Sequence, residues 1–210
     1  MEILKINPKN LNNALSEAKE AIEKGKIILC PTDTVYGLIC DAQNKKAVNR
    51  IFKIKKRPAG KPIPVFVKDI RMAKELAHID KKLEAALKKV WPGKTTVILK
   101  SKKTIPGVTL RRTIGLRLPK YKFLNQLLLK VKRPIAQTSA NISGKSASTK
   151  IKEAFSQFKK MPNKKSGGLP DLILDAGNLK LSLPSTIVDL SSRKVKILRQ
   201  GATNPKLIKL

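Results

Sequence analysis

Acidic residues are scarce in this 210-residue chain: 14 Asp and Glu stand against 46 Lys and Arg, a formal net charge of +32. Aromatic residues are scarce as well, at 4%, with a single Trp, two Tyr and five Phe. Cysteine is limited to Cys30 and Cys40 and histidine to His78. Two thiols do not make a four-ligand zinc site, and His78 lies far off in sequence. The thiols read as reduced small hydrophobes of a protein in a reducing compartment, with no obvious base to activate them. No apolar run approaches the ~20 residues needed to cross a bilayer. The start, Met1-Glu2-Ile3-Leu4-Lys5, has no signal-peptide pattern. Membrane insertion and secretion are therefore not expected, and a cytoplasmic location is.

Common catalytic signatures are missing too. There is no G-x-x-x-x-G-K-[ST], no G-x-G-x-x-G, no H-E-x-x-H and no G-x-S-x-G. An enzyme made from this chain must work largely with Lys, Arg, Ser, Thr, Asn and backbone amides. Those groups stabilise anions and position reactants, and they suit phosphate chemistry better than acid/base hydrolysis.

What is present is a chain that is 41% apolar, enough for a core and against disorder despite the charge. Lys supplies 37 of the 46 basic residues and Arg nine. A dedicated nucleic-acid binder interleaves arginines and stacking aromatics with its basic residues. Here the lysines are spread throughout, as in Lys81-Lys82, Lys88-Lys89, Lys102-Lys103 and Lys159-Lys160. Most of the charge therefore reads as compositional bias on solvated faces, with a long-range attraction for polyanions.

Hydrophobic spacing orders the elements. Residues 11–24 read as a helix with Leu11, Leu15, Ala18 and Ile22 on one face and Gly25 as a left-handed cap. Ile27-Ile28-Leu29-Cys30 is a strand stopped by Pro31. A helix runs from about Lys45 to Lys55 and ends by Arg57, because Pro58 disfavours helical geometry before it. Ile63–Val67 is a strand, and Asp69 and Asp80 cap two further helices, the second carrying Leu83, Leu87 and Val90. Trp91-Pro92-Gly93 breaks that helix before strands at Thr95–Leu99 and Thr113–Leu118. A helix (Phe123–Val131), a strand (Pro134–Thr138), a helix (Ile151–Phe158), a polar loop (161–170) and strands at Leu172–Leu174, Thr186–Val188 and Val195–Leu198 complete it. The alternation predicts an α/β fold: a twisted mixed sheet flanked by helices. One domain over 1–210, with its core at about 10–201, is expected.

Chemistry is expected where polar residues follow strand or helix ends. Pro31-Thr32-Asp33-Thr34-Val35-Tyr36-Gly37-Leu38 reads as a polar turn after a strand. Lys55-Lys56-Arg57-Pro58 ends a helix, and Ser139-Ala140-Asn141, then Ser143-Gly144, follows a strand. Each alone fits a plain structural role: a turn, cations at a helix C-terminus, a helix cap. Together, with Trp91-Pro92-Gly93 and Leu198-Arg199-Gln200-Gly201 in order, they resemble the YrdC-like family of threonylcarbamoyl-AMP synthases across nearly the whole chain. The chain stops soon after Gly201, so the further C-terminal domain of longer members is not expected.

The resemblance implies a YrdC-like fold with a large basic concave cavity, and the joining of L-threonine, bicarbonate or CO2, and ATP into L-threonylcarbamoyl-AMP and pyrophosphate. A separate threonylcarbamoyl-transferase complex would then modify the adenosine beside the anticodon of tRNA. Mg2+ is implied as the companion of ATP. By position, Lys55 and Arg57 match the catalytic Lys-x-Arg pair on the triphosphate, with Lys61 as a further cation. Thr113, Ser139, Asn141 and Arg199 match nucleotide contacts. Thr34, Tyr36, Arg117 and Ser185 match the threonine pocket, Arg117 being suited to the carboxylate. Phe66 stands where some relatives carry His. Two alternatives remain beside the synthase: a YciO-like paralogue, which Arg112–Arg117 somewhat resembles, and a non-catalytic double-stranded-RNA or tRNA-binding protein.

Overall fold

The computed structural model describes residues 2–58, 60–159, 168–192 and 194–208. Seven of the expected loop residues, 161–167, lie outside these. The strands are β1 (Glu2–Lys5), β2 (Ile28–Cys30), β3 (Gly37–Asp41), β4 (Val65–Phe66), β5 (Thr95–Lys100), β6 (Thr109–Leu110), β7 (Thr113–Arg117), β8 (Ile135–Ser139), β9 (Leu172–Asp175), β10 (Thr186–Asp189) and β11 (Lys196–Arg199). The helices are α1 (Leu11–Glu23), α2 (Lys45–Lys55), α3 (Ile70–Leu76), α4 (Lys81–Lys88), α5 (Lys122–Val131) and α6 (Ile151–Lys159). The expected α/β architecture is what forms.

The strands build one sheet in the order β1-β9-β2-β3-β8-β4-β7-β5-β10-β11, with β6 paired to β7. It is mixed: β1/β9, β2/β9, β4/β7 and β5/β10 are parallel, while β2/β3, β3/β8, β4/β8 and β5/β7 are antiparallel. Successive strand residues point to opposite faces, and the two cores follow that rule. Ile28, Cys30, Ile39, Phe66, Leu172 and Leu174 pack under α1 and α5. Leu29, Leu38, Cys40, Val65 and Ile173 face the other way, toward the core that takes in α2, α3 and α6. Both cysteines are buried and free, and burial raises both thiols well above their ordinary range.

Local signals hold where the backbone needs them. Gly25 takes a φ of +68° after α1. The Asp69 carboxylate accepts from the Met72 N–H at 2.7 Å, and that of Asp80 from the Leu83 N–H at 2.7 Å. Three strands were not expected. β3 lies within the segment read partly as a turn, because only 31–36 is loop; Gly-Leu-Ile-Cys-Asp is buried on both faces between β2 and β8, and so lacks alternation. β1 exists through its parallel pairing with the distant β9, and β6, two residues long, through its pairing with β7 across a two-residue turn. Among the described residues no helix is long and apolar enough to cross a membrane.

Candidate active site

Where the C-terminal ends of β7 and β8 meet the N-terminal ends of β5 and β10, the loops enclose a cavity of about 330 Å3. Thr34 reaches it from the β2–β3 loop and Arg57 from the turn after α2. Thr96 and Arg117 line it from β5 and β7, Ser139 and Asn141 from the end of β8, and Ser185 and Arg199 from the approach to β10 and from β11. Four of its described lining residues are cations, namely Arg57, Arg117, Lys145 and Arg199, and none is a carboxylate.

Arg117 is fixed before any ligand arrives. Its Nη2 donates to Asp33 Oδ1 at 2.6 Å and its Nε to the Gly93 carbonyl at 3.0 Å, while its guanidinium lies 5.7 Å from the centre of the Phe66 ring. Both side chains of the ion pair are buried, at 2% and 5% exposure. Burial lowers the Arg117 pKa from its ordinary value and Asp33 opposes that shift. The Lys120 N–H also donates to Asp33, at 3.1 Å. The Trp91-Pro92-Gly93 turn thus contributes a carbonyl that aims the arginine, and Trp91 is itself anchored by Nε1 donating to Thr95 O at 2.8 Å. Two of the five guanidinium donors are committed to protein, which leaves others for a ligand carboxylate.

Beneath the cavity floor lies Lys55, 1% exposed. Its ammonium donates to the Ser139 carbonyl, to the Asn141 carbonyl at 2.7 Å and to Asn141 Oδ1 at 3.1 Å. An ammonium has three donors, and here all three go to the Ser-x-Asn turn. Burial, with a smaller contribution from Arg57, pushes its pKa down to about 7. Ser139 Oγ donates to Asn141 Oδ1 at 2.6 Å, and the Asn141 amide donates to Ile142 O at 3.1 Å and to Lys145 O. Arg57 is aimed by carbonyls of its own turn, Nε to Lys61 O at 2.7 Å and Nη2 to Pro62 O at 2.9 Å. Arg199 holds Ser185 O through Nε at 3.0 Å and Nη2 at 2.7 Å, and Ser185 Oγ lies 3.1 Å from Thr96 Oγ1. Gly201 follows because a Cβ there would sit 2.2 Å from the Pro184 carbonyl oxygen.

The model of the Sua5/YciO/YrdC family, described as telomere recombination, matches residues 20–201. The chain belongs to that family. A Methanocaldococcus jannaschii relative, provisionally named a threonylcarbamoyl-AMP synthase, is 33% identical over 201 residues, which cover 96% of this chain and 92% of that protein. The threonylcarbamoyl-AMP synthase of Pyrococcus abyssi is 33% identical over 183 residues, 86% of this chain but 52% of its own. The chain thus spans about half of that relative. Among solved structures, Escherichia coli YciO superposes with a TM-score of 0.86 at 27% identity, each chain covered in full. Pyrococcus abyssi Sua5 complexed with L-threonine gives 0.81 at 30% identity over 95% of this chain and 57% of that one.

Within this Sua5/YciO/YrdC chain, the fold brings Thr34, Arg57, Arg117, Ser139, Asn141, Ser185 and Arg199 to one cavity. It does not bring four other expected residues to its wall. Lys55 lies under the floor with its donors spent. Tyr36 is fully buried, its hydroxyl donating to Gly177 O at 2.7 Å and accepting from the Ala176 N–H at 3.0 Å. Lys61 presents an exposed side chain and serves through its carbonyl. Thr113 sits at the opposite end of β7 from Arg117, lines a different cavity and donates its hydroxyl to Leu110 O at 2.7 Å. Phe66 packs in the core beneath Arg117 rather than on the wall. Sequence reasoning missed Thr96, Gln137 and Lys145 as lining and Asp33 as the partner of Arg117. Lys145 was signalled by its place directly after Ser143-Gly144; Thr96 carried no local signal.

Proposed function

We propose that the chain is an L-threonylcarbamoyladenylate synthase that forms L-threonylcarbamoyl-AMP and pyrophosphate from L-threonine, bicarbonate or CO2, and ATP. The observation that carries this reading is the convergence of Arg57, Arg117 and Arg199, from three separate elements, on one cavity that also presents hydroxyls of Thr34, Ser139 and Ser185. The names of the relatives and the L-threonine complex of the Pyrococcus abyssi protein support it.

The chemistry asks for positioned cations and no protein nucleophile. Threonine's amine adds to CO2 and loses a proton, giving a carbamate. A carbamate oxygen bonds to the α-phosphorus as its bond to the bridging oxygen breaks, and that electron pair leaves with pyrophosphate. Arg57 and Arg199 gather the negative charge on the phosphates, and Arg117 takes the amino-acid carboxylate. Thr34 and Ser185 hold the amino acid, and Ser139 faces the nucleotide. Lys55 acts at one remove, as a positioning residue that holds the Ser139–Asn141 turn. Mg2+ enters on the triphosphate as part of the substrate, since the described lining offers hydroxyls and guanidinium groups without a carboxylate. Rate comes from orientation and preorganised charge. The product serves a transferase complex acting on tRNA.

Pyrophosphate release tests this. It is expected only when threonine, bicarbonate and ATP are present together, and release that ignores threonine overturns the reading. The full-length match to YciO favours a second reading, a paralogue whose cavity takes a nucleotide without threonine-dependent turnover. RNA binding with no ATP consumption is the outcome expected of a non-catalytic module.

A further inference from the structure

The hydroxyls that line the proposed active cavity differ in what they have left to offer a ligand. Thr96 Oγ1 and Ser185 Oγ lie 3.1 Å apart, and Arg199 Nη2 donates to Ser185 Oγ at 3.2 Å. Thr96 is 2% exposed and Ser185 9%. Among the described residues the Thr96 hydroxyl has no partner but Ser185 Oγ. Each hydroxyl carries one proton and two lone pairs, which fixes its capacity.

The sheet sets where these groups stand. Val97 of β5 is registered on Leu116 of β7, which puts Thr96 beside Arg117. On its other side Thr96 is registered on Ile187 of β10, and Ile187 on Arg199 of β11. One row therefore crosses four strands, Arg117, Thr96, Ile187 and Arg199, and all four line the cavity. Neighbouring strands lie ~4.8 Å apart, so Thr96 stands about that far from Arg117.

The Ser185 backbone is pinned without help from Thr96. Arg199 donates to its carbonyl through Nε at 3.0 Å and Nη2 at 2.7 Å. Next to it, Thr186 Oγ1 donates to Thr203 O at 2.6 Å and accepts from the Gly201 and Thr203 N–H groups at 3.0 and 3.1 Å. What the Thr96 hydroxyl is free to set is the direction of the Ser185 O–H.

Burial decides that direction. A buried donor without an acceptor is costly, so the more deeply buried Thr96 gives its proton to Ser185 Oγ. Arg199 gives it a second. Both lone pairs of Ser185 Oγ are then taken, and its own proton is left for the cavity. A hydroxyl filled in this way donates to a ligand oxygen and accepts nothing from a ligand N–H.

We propose that Thr96 is a positioning residue that, with Arg199, makes Ser185 an obligate donor and so selects an amino acid with an oxygen on its side chain. This rests on the synthase reading, in which Arg117 takes the carboxylate. With the carboxylate on Arg117 and Ser185 Oγ within a hydrogen bond of Thr96, the Ser185 proton meets the threonine β-oxygen. The α-amine finds no acceptor there and stays free to add to CO2. Valine puts a methyl in place of that oxygen and leaves the Ser185 proton unpaired.

The test is calorimetric binding of L-threonine and L-valine to the full chain and to Thr96→Val, which keeps the shape and removes the hydroxyl. The unaltered chain is expected to prefer threonine on the order of 100-fold, and Thr96→Val only about tenfold. Thr96→Ser restores the hydroxyl and is expected to stay within about threefold of the unaltered preference. An unchanged preference in Thr96→Val, an equal loss in Thr96→Ser, or no threonine binding by the unaltered chain each overturn the proposal. In pyrophosphate release, Thr96→Val is expected to raise the KM for threonine about tenfold with kcat within about threefold. A fall in kcat at unchanged KM overturns the proposal as well. Absence of release from the unaltered chain sinks the synthase reading instead, and the binding ratios still decide the role of Thr96. Should Thr96→Val fail to fold, Thr96→Cys, a weaker donor of similar shape, is expected to lower the preference at least about threefold. An unchanged preference there overturns the proposal too.

Discussion

The two ends of β5 and β7 carry positive charge in opposite ways. At the proposed active cavity the guanidinium groups are tied down by protein oxygens: Arg117 by Asp33 and Gly93, Arg57 by Lys61 and Pro62, Arg199 by Ser185. At the other end Lys100, Lys102, Arg111 and Arg112 line the cavity that takes in Thr113. There the cations stand exposed without ion pairs among the described residues, and only the backbone beneath them is fixed. The first arrangement specifies where a charge must lie to within a hydrogen bond; the second attracts charge along a length of surface. Total charge does not distinguish them, but the commitment of the donors does.

Breaking that contrast starts at Arg57. Arg57→Ala is expected to lower threonine-dependent pyrophosphate release by at least ~100-fold, the scale of losing a charge-stabilising donor, while the melting temperature barely moves. Normal turnover in that variant would remove Arg57 from the site. Arg117→Ala is expected to injure both fold and function, because it strands Asp33 at 5% exposure. Leaving a buried charge alone costs about 3–5 kcal/mol, readable in denaturant melts alongside a raised KM for threonine. Arg117→Ala with Asp33→Ala recovering most of the stability but not the KM sharpens the assignment.

Lys55 yields a pH signature. Unfolded, its ammonium keeps a proton up to about 10.5; folded, it sheds it above about 7. Between those values the unfolded state binds more protons, so stability rises with pH through that window. Lys55→Met is expected to flatten that rise and to reduce turnover by about tenfold through the loosened Ser139–Asn141 turn, the sort of loss that misplacement brings. An unchanged pH slope in denaturant melts speaks against the buried titrating lysine. Smallest of all, Thr113→Ala and Lys61→Ala are expected to leave the KM for ATP within about twofold and stability within ~0.5 kcal/mol, as for surface changes away from such features. A tenfold rise in either KM returns that residue to the site.

Arg57, Arg117, Ser139 and Arg199 were legible in the sequence because each sits in a motif whose order along the chain survives folding. Lys55 and Tyr36 carried the same motif signal, yet they face inward and spend their polar atoms on backbone, which spacing does not reveal. Thr113 lines a different cavity from Arg117, because a strand has two ends and a motif does not say at which end a residue lies. β3 hid inside a polar motif because its burial on both faces erases alternation, while β1 depends on a partner about 170 residues distant.

The alternation of apolar runs, the capping residues Asp69 and Asp80 and the glycine after α1 followed from the chain itself, since they rest on contacts within a few residues. Which arginines are held, and by which oxygens, was decided only when the sheet brought Asp33 to Arg117 and Ser185 to Arg199. Charge is a property of composition, but its direction and its partners come from contacts between distant segments that a linear pattern does not encode.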